Sequence, residues 1–246
     1  MSPHGFADIH QHVLWGLDDG PATRKQMHAL LRQNVENGVR LVYATAHAAP
    51  GLRRFDAELY RERLKEANAY CRKRDWPLRI LSGCEMYYSP AAVDALLEGR
   101  IPTLGGSLYV LIEFSEDVSA ARIGKAANSL YRAGYRPILA HAERYRCLVR
   151  SPARAMAVRD EFGLLLQMNC ETVLRPRGFF RRRFVRTLLR EQAVDVLASD
   201  AHDASRRPVQ MRNAYRKIAR EYDARYAKRL VHLGWRISKL GRADRV

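Results

Sequence analysis

Cysteine is scarce in this sequence and never paired. The four cysteines, Cys71, Cys84, Cys147 and Cys170, form no Cys-x-x-Cys motif, which argues against a zinc ribbon or a thioredoxin-like redox site. No arginine stands six positions after any of them, so the phosphate loop of cysteine-dependent phosphatases is missing. Buried, reduced thiols are the expectation. No run approaches the roughly 18 consecutive apolar residues of a membrane span. The opening Met1-Ser2-Pro3-His4-Gly5 has neither a basic lead nor an apolar stretch. No signal peptide is therefore expected, and the cytoplasm is the expected compartment. A dinucleotide glycine fingerprint, a Walker loop, low-complexity sequence and a clear linker are all absent.

Acidic residues are also in the minority. Of the 246 residues, 43 are Lys or Arg and 26 are Asp or Glu, a net charge of +17. Such a surface attracts polyanions: nucleic acid, acidic lipid or a phosphorylated peptide. The charge is spread widely and is densest over residues 175–190 and the last forty residues. Its expected role is steering. The hydrophobic fraction of 47% is enough for one full core, and α/β barrels of this length form single domains.

Strand and helix patterns alternate along the chain. Strands are expected at residues 6–10, 39–45, 79–82, 108–114, 136–140, 164–169 and 194–199. Helices are expected between them. Thr23 caps one that ends at Gly38, and Ser119 caps another that Gly134 stops. From Pro208 onward the sequence reads as helix, with a basic tail after Gly234 that is expected to be loosely held. Seven β-α units without a nucleotide loop predict a barrel rather than a doubly wound sheet. The expected architecture is one α/β domain spanning 1–246, with a core at about 6–215 and a basic helical extension at about 216–246.

Residues that bind metals recur at the carboxyl ends of these strands, where barrel chemistry is located. The first strand carries Asp8-Ile9-His10-Gln11-His12. Alternate side chains of a strand share a face, so Asp8, His10 and His12 are expected to point at one spot. Asp18 and Asp19 follow in the next loop. The second strand offers His47, the third Glu85 and the fourth Glu113. The fifth offers His141 and Arg144, and the seventh Asp200, His202 and Arg207. The sixth offers only Asn169. Five of the eight histidines fall at these ends. Each alone has an ordinary structural explanation, as a cap, an ion pair or a core imidazole. Gathered on one rim, the carboxylates would repel one another unless a cation neutralised them. Imidazole and carboxylate without thiolate favour Mn, Zn or Fe. The set exceeds what one ion needs, so two or three ions are expected. Close metal ions suit in-line displacement at a phosphate ester, with Arg144 and Arg207 as forked donors to phosphoryl oxygens.

Seven segments then occur in order: Asp8-Ile9-His10-Gln11-His12, Asp18-Asp19-Gly20-Pro21, Thr45-Ala46-His47, Gly83-Cys84-Glu85-Met86-Tyr87-Tyr88, Leu111-Ile112-Glu113-Phe114, His141-Ala142-Glu143-Arg144-Tyr145 and Ser199-Asp200-Ala201-His202. With them the chain resembles the bacterial PHP-type protein-tyrosine phosphatases of capsular and exopolysaccharide gene clusters, from Phe6 to about Tyr215. The resemblance implies a distorted seven-stranded TIM-like β/α barrel and a trinuclear site that favours Mn2+, with Zn2+ or Fe as alternatives. It implies hydrolysis of phosphotyrosine by a metal-bound hydroxide, without a phosphoenzyme. The implied partner is the tyrosine-rich tail of a membrane-bound tyrosine kinase that controls polysaccharide synthesis. By motif position, His10, His12, Asp19, His47, Glu85, Glu113, His141, Asp200 and His202 match metal ligands. Glu85 matches a bridge between two ions, and Arg144 and Arg207 match phosphate contacts.

Two departures bear on substrate preference. His47 is followed by Ala48-Ala49-Pro50, with Arg53 and Arg54 supplying basic character later. Strand six ends in Met168-Asn169-Cys170-Glu171. The same site is compatible with a small phosphomonoester such as histidinol phosphate, or with nucleic-acid ends, to which the net charge gives some support although a nucleic-acid partner is not the expectation. A non-enzymatic module that binds a kinase or a polyanion is a third reading, against which the intact motif set counts. The oligomeric state is not legible in the sequence.

Overall fold

The computed structural model describes residues 5–52 and 55–240. Its strands and helices alternate. β1 (Phe6–Gln11), α1 (Arg24–Glu36), β2 (Val39–Ala48), α2 (Ala57–Lys73), β3 (Arg79–Tyr87), α3 (Pro90–Leu97) and β4 (Tyr109–Glu113) lead into α4 (Ala120–Arg132) and β5 (Arg136–Leu139). Then come α5 (Arg146–Val149), α6 (Pro152–Phe162), β6 (Leu165–Asn169), α7 (Cys170–Leu174), α8 (Phe179–Arg190) and β7 (Val196–Ala198). The chain finishes with α9 (Met211–Glu221), α10 (Ala224–Leu230) and α11 (Leu233–Leu240). The helix starts follow capping chemistry. Thr23 and Gln26 form a reciprocal capping box, and Ser119 accepts from the Arg122 amide. Ser89 and Ser151 cap helices whose first residue is proline.

The seven strands form one parallel sheet in sequence order. Two apolar layers result from their alternation. Ala7, Ile9, Leu41, Tyr43, Leu111, Ile138, Ala140, Val196 and Ala198 fill the barrel interior. The residues between them, such as Val42, Ala44, Ile80, Val110, Ile112, Leu139, Leu166 and Leu197, pack beneath the helices. β7 and β1 close the barrel by a thin seam: one bridge between Gln11 and Ala201, and amide bonds from Asp200 to the His10 carbonyl (2.9 Å) and from His12 to the Ala201 carbonyl (3.0 Å). The seven-stranded barrel expected from the sequence is the observed fold.

Several boundaries differ from the sequence expectation. β2 and β3 run past residues 45 and 82, and their ladder continues through Thr45–Gly83, His47–Glu85 and Ala48–Met86. His47 and Glu85 are therefore strand residues. Polar character suggested loops, but the alternation persists, with Ala44, Ala46 and Ala48 under the helices and His47 on the opposite face. Gly83 leaves room for Leu104, whose Cδ2 would lie 2.9 Å from a Cβ at this position.

The segment after Gly234 was expected to be loose. Residues 233–240 instead form α11, and Ile237 is buried in the barrel interior. Tyr43 Oη donates to the Gly234 carbonyl (2.7 Å), and Trp235 Nε1 donates to the Gly5 carbonyl (3.1 Å). Basic residues concealed an apolar stripe that plugs the amino-terminal end of the barrel. A Cβ on Gly234 would sit 2.7 Å from Ala7 Cβ and 2.9 Å from Ile9 Cγ2, both on the barrel wall. Gly234→Ala is accordingly expected to cost about 1–3 kcal/mol and to lower the Tm by about 2–10 °C. Calorimetry of the two proteins checks this, and an unchanged Tm would show that α11 is free to shift.

Candidate metal centre

The inner face of each strand changes from apolar to polar at its carboxyl end. On β2 the inward series continues Leu41, Tyr43, Thr45, His47, and on β3 it reaches Glu85. On β4 it runs Tyr109, Leu111, Glu113, and on β6 Leu165, Gln167, Asn169. Strict alternation on β1 would follow Ala7 and Ile9 with Gln11. Pairing with β2 instead shifts between Asp8↔Val42 and Gln11↔Ala44, so one extra residue is accommodated on β1. This bulge reverses the phase. His10 and His12 turn toward the rim, and Gln11 turns outward beside Asp8.

The bulge corrects one expectation. Asp8 does not join the histidines. Its Oδ1 accepts from the Ser199 amide (3.0 Å), and its Oδ2 accepts from Gln11 Nε2 (3.0 Å). Gln11 and Asn34 of α1 exchange amide hydrogen bonds (3.0 and 2.7 Å). Burial pushes the Asp8 carboxyl above its usual range, against the hydrogen bonds from Ser199. Asp8 belongs to the barrel seam.

The rim residues fall into three interlocked groups, each with ligand atoms within 4.8 Å of one another: His12, Asp19, His47 and His202; His10, His12, Glu85 and Asp200; and His47, Glu85 and Glu113. Eight of the nine proposed ligands are in these groups, and His12, His47 and Glu85 are each shared by two. The ninth, His141, stands against them. Its Nε2 is 2.8 Å from Glu85 Oε1 and 3.8 Å from Glu113 Oε2. Glu85 Oε2 lies 3.1 Å from both His10 Nε2 and His12 Nε2 and 3.3 Å from His47 Nδ1. Glu85 is thus the centre of the array. His141 and Asp200 both have positive φ, at 32° and 52°. Such strained backbone turns each side chain into the rim directly after its strand.

Outer partners set the imidazole tautomers. Gln167 Oε1 accepts from the His141 amide (2.7 Å), so this atom is the oxygen, and His10 Nδ1 must donate to it (3.0 Å). His10 Nε2 is thereby the nitrogen aimed at Glu85 and Asp200. Burial pulls the imidazole pKa down, but these carboxylates favour the protonated form and raise it, and loss of that proton frees the Nε2 lone pair for a metal ion. His12 Nδ1 is held by Asp18 Oδ2 (2.7 Å) and His202 Nδ1 by the Asp200 carbonyl (3.0 Å). Both therefore also turn Nε2 inward, the usual second-layer arrangement of a metal-binding histidine. Asp18 and Asp19 divide the work. Asp18 orients His12, and Asp19 Oδ1 faces His202 Nε2 (3.2 Å) and His47 Nε2 (3.4 Å). Gln167 was missed in the sequence, although a lone amide at an inward position of an apolar strand was the available signal. Its Nε2 donates to Asn169 Oδ1 (2.7 Å), and Asn169 Nδ2 donates to Asp200 Oδ2 (2.8 Å).

Arg144 and Arg207 converge on the same atom, with Nη2 of each donating to Asp200 Oδ2 at 2.6 and 2.8 Å. They stand beside the imidazole and carboxylate array, each about one-third exposed. Arg53 and Arg54 lie outside the described residues.

The donor set fits divalent cations. Burial pulls the His12 imidazole down, but the Asp18 carboxylate and then Glu85 outweigh it and push it up to about 10. At His47 burial is likewise outweighed by Asp19, Glu113 and Glu85, and the imidazole rises to about 11. Hydrogen bonds from His202 and His47 hold the Asp19 carboxyl far below its usual range. The carboxylates thus keep protons on imidazoles that are otherwise neutral at pH 7, which is a demand for positive charge that metal ions satisfy. His12 and His47 hold their protons until the pH passes 10 and 11, so a binding ion must displace them. Metal affinity is expected to rise with pH between 6 and 8, by about tenfold per pH unit for each proton released. Calorimetric titrations of chelated protein in buffers of different ionisation heat measure the release. Affinity independent of pH, without proton release, would count against this set.

A parallel α/β barrel with interlocked His, Asp and Glu groups on its carboxyl rim defines the class: barrel proteins with a multi-residue candidate metal site at the strand ends. The chain belongs to the CpsB/CapC family of capsular polysaccharide synthesis, whose sequence model matches residues 6–234. It is 34% identical to the tyrosine-protein phosphatase CpsB of Streptococcus pneumoniae over 228 residues, which covers 91% of this chain and 93% of that protein. It is 26% identical to the tyrosine-protein phosphatase YwqE of Bacillus subtilis, covering 87% of this chain and 84% of the relative. The crystal structures of YwqE and of S. pneumoniae CpsB are described as those of unique metal-dependent tyrosine phosphatases. One solved chain from that work matches with a TM-score of 0.87 at 25% identity, over 95% of this chain and 94% of its own.

Proposed function

We propose that this protein is a metal-dependent protein-tyrosine phosphatase. The observation that carries the reading is three interlocked groups that could each hold a metal ion, two of them sharing Glu85, beside two arginines that share Asp200 Oδ2. His10, His12, Asp19, His47, Glu85, Glu113, His141, Asp200 and His202 would hold the ions, with Mn2+ the preferred occupant of an oxygen- and imidazole-rich set. Bound divalent ions supply an activated water at neutral pH and neutralise phosphoryl charge. Arg144 and Arg207 keep N–H groups beyond those given to Asp200, and these bind and orient the phosphoryl oxygens. No thiol competes as nucleophile. Burial pushes up all four cysteines, Cys71 to about 11, and Cys84 and Cys170 are fully enclosed. The relatives' names favour phosphotyrosine as the substrate, and a tyrosine kinase of polysaccharide synthesis is the carrier that the sequence resemblance implies. No helix among the described residues is long and apolar enough to cross a membrane, which suits action at the cytoplasmic side.

The test compares initial rates on a tyrosine-phosphorylated peptide, p-nitrophenyl phosphate, histidinol phosphate and single-stranded DNA, with Mn2+, Zn2+ or chelator. The peptide and p-nitrophenyl phosphate are expected to turn over with metal and to stop with chelator. Preference for histidinol phosphate or DNA would overturn the assignment. Arg207→Ala is expected to lower kcat/KM by about 10- to 100-fold while metal content is unchanged. An unchanged kcat/KM would remove Arg207 from phosphate binding.

A further inference from the structure

A second basic cavity opens directly from the phosphate end of the site. It measures about 250 Å3 and is lined by Arg144, Asn169, Arg175, Arg177 and Arg181, with Glu116 and Glu171 on its wall. Arg144 and Asn169 belong equally to the metal centre, since both donate to Asp200 Oδ2. The remaining three arginines come from the segment between β6 and the first turns of α8. Arg181 is fixed by its Nε, which donates to the Glu143 carbonyl (3.1 Å), one residue before Arg144. That bond leaves both Nη groups of its fork available. Arg175 makes no side-chain hydrogen bond or ion pair among the described residues. Arg177 has only a 3.6 Å contact to Glu171 with both groups largely exposed, a pair of little worth. The cavity therefore carries more cationic donors than its own carboxylates use.

We infer that this cavity is a subsite for a second anionic side chain of the phosphopeptide, a carboxylate or a phosphate close to the phosphotyrosine in sequence. The inference rests on the phosphotyrosine reading above and adds a substrate preference to it. Because the cavity shares Arg144 with the phosphate site, the second anion lies about one to three residues away, at about 3.3 Å per residue of extended chain. Forked guanidinium donors match either oxyanion. Concavity favours a side chain over a lipid surface. Phe179 and Phe180, exposed just beyond Arg177, are features that a membrane would also use, as are the arginines themselves.

The experiment uses metal-loaded full-length protein and peptides that carry a non-hydrolysable phosphonate in place of phosphotyrosine. Glu, phosphoserine or Ala occupies the flanking positions, and Kd is read by fluorescence anisotropy. The protein is expected to bind the Glu and phosphoserine peptides about tenfold more tightly than the Ala peptide, the factor of one charge-assisted contact. The double variant Arg175→Ala/Arg177→Ala is expected to lose that ratio and to keep the wild-type rate on p-nitrophenyl phosphate. A ratio of one in the wild type, or a ratio that survives in the variant, overturns the subsite. If the variant instead loses binding to phosphatidylglycerol vesicles while the peptide ratio persists, the arginines serve a lipid surface and the proposal fails. Absence of p-nitrophenyl phosphate hydrolysis would sink the phosphatase reading, and the binding ratio would still decide the subsite.

Discussion

Glu85→Gln is expected to lower kcat/KM on a phosphotyrosyl peptide by at least about 10³-fold and to strip most of the bound metal. Loss of an outer partner of a metal ligand typically costs 10- to 100-fold, and Glu85 stands at the centre rather than outside. One of its oxygens faces His10, His12 and His47, and the other faces His141. Its carboxyl is almost wholly buried, and burial would raise its pKa were it not for His10, whose charge and hydrogen bond hold it well below the carboxylate range. Glutamine keeps the shape and removes the charge. It also presents an amide nitrogen, which is no ligand, to one side of the array. The imidazoles would then face one another without the anion that draws a cation between them. Elemental analysis of metal per protein, alongside kcat/KM, checks this. Full metal content with wild-type turnover would displace Glu85 from the centre. A circular-dichroism spectrum like that of the wild type would show that the loss is local.

Asp8→Ala is expected to destabilise the protein by about 1–3 kcal/mol and to reduce activity although Asp8 is outside the metal groups. The buried Ser199 amide would lose its acceptor, while Gln11 Nε2 would lose one of three and keep Asn34 Oδ1 and Ser199 Oγ. They lie at the seam where β7 meets β1, the weakest join of the barrel, held by a single bridge. The same seam sets the distance between His10 and His12 on one side and Asp200 on the other. Slackening it therefore spreads ligands that no mutation has touched. Asp8→Asn retains one acceptor and should fall between wild type and alanine. Chemical denaturation measures the stability, and metal titration of the variant measures the spread. Wild-type stability in Asp8→Ala would mean that the seam is held elsewhere.

Both predictions concern residues that the sequence singled out, but for different reasons. Glu85 was legible because its type and position matched those of five other strand ends. Asp8 differs from its expected place because local alternation is interrupted by a bulge. That bulge arises from pairing with β2, some thirty residues away, and leaves no mark in the five-residue motif itself. Gln167 was overlooked for a related reason. An amide has many surface roles, and only its placement between His10 and His141 gives it a function. The two arginines stand out by type, but their meeting on one oxygen of Asp200 is a product of the tertiary fold.

The sequence by itself determined the repeat of strand and helix, the apolar filling of the barrel and the chemical identity of the rim. These follow from side-chain period and residue type, which are local properties. The tertiary structure decided which carboxylate faces the histidines and which one closes the barrel, how far β2 and β3 extend, and that the basic C-terminal stretch seals the barrel end. Those outcomes depend on strand register and on packing between distant segments, where the energies belong to pairs of residues and no single stretch of chain contains them.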